Sequence, residues 1–224
     1  RLFQPEIVIH LAARTECDET TTVEEGYRAN TDGTRHLLDA VAEAGSVERL
    51  IITSSQFICG PDHFPSHDED FAPATVYGES KVITEKLVRE TNPNCIWTIV
   101  RPTNIWGPFH QRYSTEFWRI LDRGWYVHPC SKSPVRCYGY VGNLVWQLEQ
   151  ILESDRELVH QQVFYLGDRP IEIIDWISGF HQAITGRERM PVMPFWMTKA
   201  LAVGGDAIGA VTRKPFDINS SRLR

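Results

Sequence analysis

A chain of 224 residues with 42% hydrophobic and 23% charged side chains has the composition of a globular protein with a substantial core, and a disordered chain is excluded. Its net charge of −6, without a long basic run, points away from nucleic acid or an acidic membrane surface as the main partner and toward a small-molecule substrate. Five scattered cysteines without a C-x-x-C pair indicate neither a disulfide framework nor a zinc site, so a reducing cytoplasm is the expected setting, and no apolar run reaches the roughly 18 residues of a membrane span.

The chain begins Arg1-Leu2-Phe3-Gln4, with neither an initiator methionine nor a signal-like segment, and is read as starting in mid-protein. EIVIHLAA (6–13) predicts a first buried strand. In residues 22–45, Tyr27, Thr31, Thr34, Leu38, Val41 and Ala42 recur at helical spacing and Gly45 marks the stop. RLIITSS (49–55) predicts the second strand, and a helix runs from near Val76 to just before Asn92-Pro93 with Val82, Ile83, Leu87 and Val88 on its apolar side. CIWTIVRP (95–102) and QQVFYLGD (161–168) predict further strands. Apolar strands alternating with helices predict βαβ units and a parallel sheet covered on both faces, with ligands bound beyond the carboxyl ends of its strands. Residues 113–125 and 173–187 predict helices, the second with Ile174, Ile177 and Ile184 inward. The apolar stretch 190–211, with all three methionines, is expected to be core, the alternative being an apolar lid over a hydrophobic substrate.

Chemistry concentrates at the predicted strand ends. YGESK (77–81) places a phenol and an ammonium four residues apart, on one side of a helix. An ammonium beside Tyr77 would lower the phenol's pKa toward the range of an acid-base catalyst. With VIHLAA (8–13), NTDGT (30–34), ITSSQFICG (52–60), VRPTNIWGP (100–108) and the weaker GYVGNLV (139–145), this segment resembles the extended short-chain dehydrogenase/reductase family, which includes NAD-dependent nucleotide-sugar epimerases and dehydratases and 3β-hydroxysteroid-dehydrogenase-like enzymes.

The resemblance implies an α/β fold: a Rossmann-like, doubly wound parallel sheet over 1–108 and about 135–168, with a smaller substrate-binding lobe over about 109–134 and 169–224. It implies an NAD(P)-dependent oxidoreductase or epimerase that transfers hydride at an alcohol or carbonyl carbon of a nucleotide-sugar or sterol-like substrate. The alternative is a non-catalytic cofactor-binding or regulatory protein of the same fold. In the implied roles Tyr77 is general acid and base, Lys81 holds the nicotinamide ribose, and Ser55 hydrogen-bonds the substrate oxygen; a strand-end hydroxyl capping the backbone is the plainer role for Ser55. Ala12, Ala13, Asn30, Ser54, Pro102 and Ile105 complete the implied cofactor contacts, Asn30 as a support at the active-site end of the sheet, and Asn104 would orient substrate hydroxyls. NAD or NADP is the implied cofactor, and a homodimer is compatible with the family.

The departures are informative too. The family's GxxGxxG loop and the strands before VIHLAA are absent from the 224 residues, so the Rossmann sheet is expected to be incomplete at its N-terminus. Gln56-Phe57 stand where the dehydratases carry Asp-Glu, which disfavours dehydration; Cys59 replaces a frequent tyrosine, and Asn143 an aspartate. HFPSHDED (63–70) gathers histidines and carboxylates but reads as a solvated loop, and no metal is expected there. G-x-S-x-G is missing, and AVGGDAIGA (202–210) lacks the spacing of a dinucleotide loop.

Overall fold

In the computed structural model, which describes residues 3–110, 117–129, 133–200 and 203, the chain runs β1 (Ile7–His10), α1 (Val23–Gly26), α2 (Arg28–Ala44), β2 (Arg49–Thr53), a 3₁₀ turn (Gln56–Ile58), α3 (Val76–Thr91), β3 (Ile96–Pro102) and β4 (Asn104–Trp106). It continues through α4 (Trp118–Asp122), β5 (Val135–Arg136), β6 (Tyr138–Tyr140), α5 (Val141–Glu153), α6 (Arg156–Val159), β7 (Val163–Leu166), β8 (Ile171–Glu172) and α7 (Ile173–Thr185). The four runs expected to be strands form one parallel sheet in the order β1-β2-β3-β7, with Val100 of β3 registered against Thr53 on one side and Phe164 on the other.

Helices cover both faces. Leu50, Ile52, Trp97 and Ile99 pack on one side against Leu38 and Val41 of α2 and Val88 of α3. Ile51 and Val100 pack on the other against Leu144 and Ile151 of α5 and Val159 of α6. Burial on both faces is why these strands read as unbroken apolar runs instead of alternating ones. The result is a Rossmann-like α/β arrangement. β1 is the exception to the expected burial: it lies at an edge of the described sheet, with Ile7 and Ile9 51% and 38% exposed, because no strand pairs with its outer side among the described residues.

Local signals set the helix ends. The helix expected over 22–45 is two: Tyr27, at φ −124°, ends α1 and starts α2. Its buried phenol donates to the Glu16 carbonyl and accepts from the Asp18 amide, fixing the break. α2 stops at Gly45, whose φ of 63° favours a residue without a Cβ. The Thr75 hydroxyl accepts from the Gly78 amide to cap α3, which ends at Asn92 before Pro93. α5 starts straight from β6 with no side-chain cap, so its beginning carries no sequence signal.

The described chain divides into two compact units, 1–107 with 138–168 and 108–137 with 169–224. In the second, Trp118 of α4 meets Trp176 and Phe180 of α7, and β5 pairs antiparallel with β8. Three expectations change here. Ile177 of α7 is buried, but Ile184 is 39% exposed and His181 takes the inner position one turn earlier. Helix forms over Trp118–Asp122 within the 113–125 segment, of which 113–116 lie outside the described residues. Phe195, Trp196 and Met197 are exposed, so this part of the 190–211 stretch is not core; 201, 202 and 204–211 lie outside the described residues. Among the described residues no helix is long and apolar enough to cross a membrane.

The layering predicts unequal costs for similar truncations. Ile52→Ala, at a fully buried position between two strands and two helices, is expected to lower unfolding free energy by about 2–5 kcal/mol. Ile9→Ala on the edge strand should cost less than about 1.5 kcal/mol. Urea unfolding followed by circular dichroism measures both, and equal costs would contradict this core.

Candidate active site

One stripe of α3 organises the site. Val88, Glu85, Lys81 and Tyr77 recur at three- and four-residue spacing, and all four are buried. Val88 lies in the core beside Trp97 and Ile99. One turn toward the helix start, Glu85 accepts from Arg101 of β3, with Nε to Oε1 at 2.9 Å and a second guanidinium nitrogen to Oε2 at 2.7 Å. Arg101 sits two residues beyond Ile99, on the same strand face, so α3 meets first apolar and then charged side chains as it nears the carboxyl end of the sheet. The Lys81 Nζ follows, donating at 2.8 Å to the carbonyl of Thr53, the last residue of β2. Tyr77 comes last, its ring against Tyr27 and Phe57.

The Ser55 hydroxyl fills two roles. It accepts from the Phe57 amide at 3.2 Å, capping the 3₁₀ turn, and from there it acts on the Tyr77 phenol, favouring its ionised form. Gly78 permits this approach, because a Cβ there would collide with the Phe57 carbonyl. Ser55, Tyr77 and Lys81 are thereby gathered at the carboxyl end of β2.

The electrostatics depart from expectation. Burial pushes the Tyr77 phenol above its ordinary value; the Ser55 hydrogen bond works against this, and Cys17 and Tyr27 add to the rise. The Lys81 charge is not among these influences, since the ammonium is directed to the Thr53 carbonyl and lies 6.0 Å from the phenol ring centre. Burial brings Lys81 itself down from 10.5 to about 8, opposed by the Glu85 carboxylate. The His10 imidazole is lowered by burial and then by Lys81, which places β1's last residue in the field of the same ammonium.

Asn30 is held in place by buried hydrogen bonds. It is 1% exposed; its Oδ1 accepts from the Arg14 amide at 2.8 Å, and its Nδ2 donates to the Arg14 carbonyl at 3.1 Å and the Ser80 hydroxyl at 3.0 Å. It joins the loop after β1, α2 and α3. Ala12 is exposed and Ala13 half-buried in that loop, and Ser54 is buried behind Ser55. Pro102 closes β3, while Asn104 and Ile105 lie on β4, which pairs with β6 in a separate two-stranded sheet. In the HFPSHDED loop Asp70 accepts from Ser66 and pairs with His63 at 3.0 Å, and the Asp68 carbonyl accepts from Arg101.

Glu85, Arg101 and His10 were not singled out from the sequence, and Tyr27 was read only as one of the helically spaced residues of 22–45. A signal existed for two of them: an arginine inside an otherwise apolar strand requires a buried partner, and Glu85 is a carboxylate one turn beyond Lys81 on the helix that covers the strand.

The family model described as "NAD dependent epimerase/dehydratase family" matches residues 1–167. The chain is similar, at 27% identity over 97% of its length and 68% of the relative's, to the 3 beta-hydroxysteroid dehydrogenase/Delta 5-->4-isomerase of vaccinia virus (strain Ankara). At 24% identity it is similar to an N-acetyl-alpha-D-glucosaminyl-diphospho-ditrans,octacis-undecaprenol 4-epimerase of Escherichia coli O157:H7, over 97% of this chain and 66% of the relative. Its fold is similar to that of a UDP-glucuronic acid 4-epimerase from Bacillus cereus solved with UDP-glucuronic acid and NAD, with a TM-score of 0.66, 20% identity and 84% of this chain covered. The chain spans 62% of that enzyme's chain, less than two thirds of its length.

The buried ammonium has a signature in stability. Between pH 8 and 10.5 the unfolded chain holds the Lys81 proton and the folded chain releases it, so unfolding takes up a proton and the stability contribution of Lys81 rises with pH across that window. The cost of burying the charge is full below pH 8 and gone above 10.5. Lys81→Met removes it. The stability of wild type minus that of the variant should therefore climb from pH 8 to 10.5 in paired denaturation curves; a flat difference would show that Lys81 titrates normally.

Proposed function

Because the chain belongs to the NAD dependent epimerase/dehydratase family, we propose that it oxidises and reduces an alcohol or carbonyl carbon of a nucleotide-sugar or sterol-like substrate, with Tyr77, Ser55 and Lys81 as its working residues. The observation that carries this is their convergence at the carboxyl end of the parallel sheet, where a buried phenol under the influence of the Ser55 hydroxyl stands one helical turn from a buried ammonium. The unit 1–107 with 138–168 is the proposed dinucleotide-binding part, and the unit 108–137 with 169–224 the proposed substrate lobe.

The polar groups present fit the ribose and nicotinamide end of NAD. The Lys81 ammonium has three protons, of which the Thr53 carbonyl takes one, leaving donors for ribose hydroxyls. The Thr53 and Ser54 hydroxyls are buried without a hydrogen-bond partner among the described residues, as groups that await a polar ligand would be. Ala12 and Ala13 present little bulk after β1, where a dinucleotide would run. When bound, NAD supplies an acceptor and donor of hydride.

The chain's own residues handle the proton. Tyr77, held protonated well above neutral pH by burial, is set to donate its proton to a carbonyl oxygen as that oxygen gains negative charge. In the oxidative direction the phenolate takes the hydroxyl proton. Ser55 holds the reacting oxygen beside the phenol by a hydrogen bond, and its own bond to the Phe57 amide fixes its rotamer. Lys81, with a midpoint of about 8, is predominantly charged at neutral pH, and loses its grip on ribose hydroxyls as pH rises beyond that value.

Turnover should be sought with nucleotide sugars and 3-hydroxysteroids, each with NAD and NADP, following the reduced cofactor by absorbance and epimers by chromatography. Tyr77→Phe is expected to leave folding and cofactor affinity nearly intact and to lower turnover by about 10²–10⁴. Undiminished turnover would reject the assignment. Cofactor binding without turnover of either class by wild type would favour a binding protein of this fold.

A further inference from the structure

Glu85 is fully buried, yet the proton chemistry proposed above does not use it. It follows Lys81 by four residues on the inner stripe of α3, where side chains one turn apart face each other. Its carboxylate is gripped through both oxygens by Arg101, which is itself 0% exposed, and Arg89 reaches the same carboxylate at 3.9 Å. The Tyr165 phenol accepts from Arg101 at 3.1 Å, and the Asp68 carbonyl accepts a further bond, so the guanidinium is tied to β7 and to the loop before α3. The pair thus locks α3 in height and rotation against β3.

We propose that Glu85 is a positioning residue for Tyr77 and Lys81: clamped by Arg101, its carboxylate registers α3 on the sheet and is the counter-charge that keeps the Lys81 ammonium charged at the carboxyl end of β2. This rests on the reading of Lys81 as the ribose-holding group. The groups that face Lys81 support it. His10 on β1 is driven toward its neutral form, Thr53 on β2 offers a neutral carbonyl, and Tyr77 on α3 holds its proton. Arg101 on β3 is a cation. Glu85 is therefore the anion that offsets the cost of burying Lys81, and burial alone would take the ammonium lower than it stands. Loss of the Glu85 charge would leave two buried cations, Lys81 and Arg101, in adjacent layers of one interface.

The test reads Lys81 directly. In the full chain with ¹⁵N-labelled lysine, the Lys81 side-chain resonance, identified by its loss in Lys81→Met, is titrated in wild type, Glu85→Gln and Glu85→Asp. Glu85→Gln, similar in size but uncharged, is expected to lower the Lys81 midpoint by about one pH unit or more. Glu85→Asp keeps the charge and should hold the midpoint within about half a pH unit, although its shorter reach lowers thermal stability. If Glu85→Gln does not fold, Glu85→Leu with Arg101→Met is compared with Arg101→Met alone, so that the two differ only in Glu85, and the midpoint is expected to be lower in the double variant. An unmoved Lys81 midpoint in the uncharged variants overturns the proposal and leaves Glu85 as packing. A lowered midpoint together with full turnover in Lys81→Met would uphold the role of Glu85 and reject the catalytic reading of Lys81, so the two failures are distinct.

Discussion

The buried pair of Arg101 and Glu85 constrains more of this molecule than any other contact. A guanidinium with no exposure to solvent must find a carboxylate or cost several kcal/mol, and the helix that covers β3 is where one can come from. Once Glu85 meets Arg101, α3 has one height and one rotation relative to the sheet, and the residues four and eight positions earlier fall at the carboxyl end of β2. Apolar packing of Val88 on Trp97 and Ile99 supplies the stabilisation below this level, but apolar contact is non-directional and tolerates sliding. The bidentate ion pair does not.

The neighbouring stripe of the same helix is held by uncharged polar groups. Asn30 joins the Arg14 backbone to Ser80, and the Thr84 hydroxyl bonds the Ser80 carbonyl, so α2, α3 and the loop after β1 share one buried network. Tyr27 contributes in two ways: its ring packs on Tyr77, and its hydroxyl ties down the loop at Glu16 and Asp18. Such a network is costly when half satisfied and rigid when complete. It holds the loop that carries Ala12 and Ala13 next to the strand ends where the hydroxyls of Thr53 and Ser54 lie unpartnered.

Burial has opposite effects on the two titrating groups of the stripe, and for one reason. Removing either from water disfavours its charged form, which raises the phenol of Tyr77 and lowers the ammonium of Lys81. The arrangement therefore keeps the phenol as a proton donor and the ammonium near the edge of deprotonation. Chemistry in the oxidative direction needs the phenol to give up its proton, so a substrate oxygen that accepts from Ser55 and Tyr77 together has to provide the compensation.

Residue pattern alone determined the four strands of the parallel sheet, the close of α2 and the bounds of α3, because periodicity, Gly45 and the Asn92-Pro93 step act within a few residues of chain. Five ordered motifs likewise disclosed the family, since YGESK sits in a helix that starts where a strand-end serine can reach it. Tertiary structure decided what the motifs do not encode: the clamp of Arg101 on Glu85 across 16 residues, the Asn30 bridge to Ser80 across 50, and the exposure of Ile184 and Trp196. It also decided the sign of the Tyr77 shift. Spacing placed an ammonium one turn from the phenol, but which acceptor that ammonium reaches, and how deeply both are buried, depend on groups brought from other strands, and burial is what sets the direction of the shift.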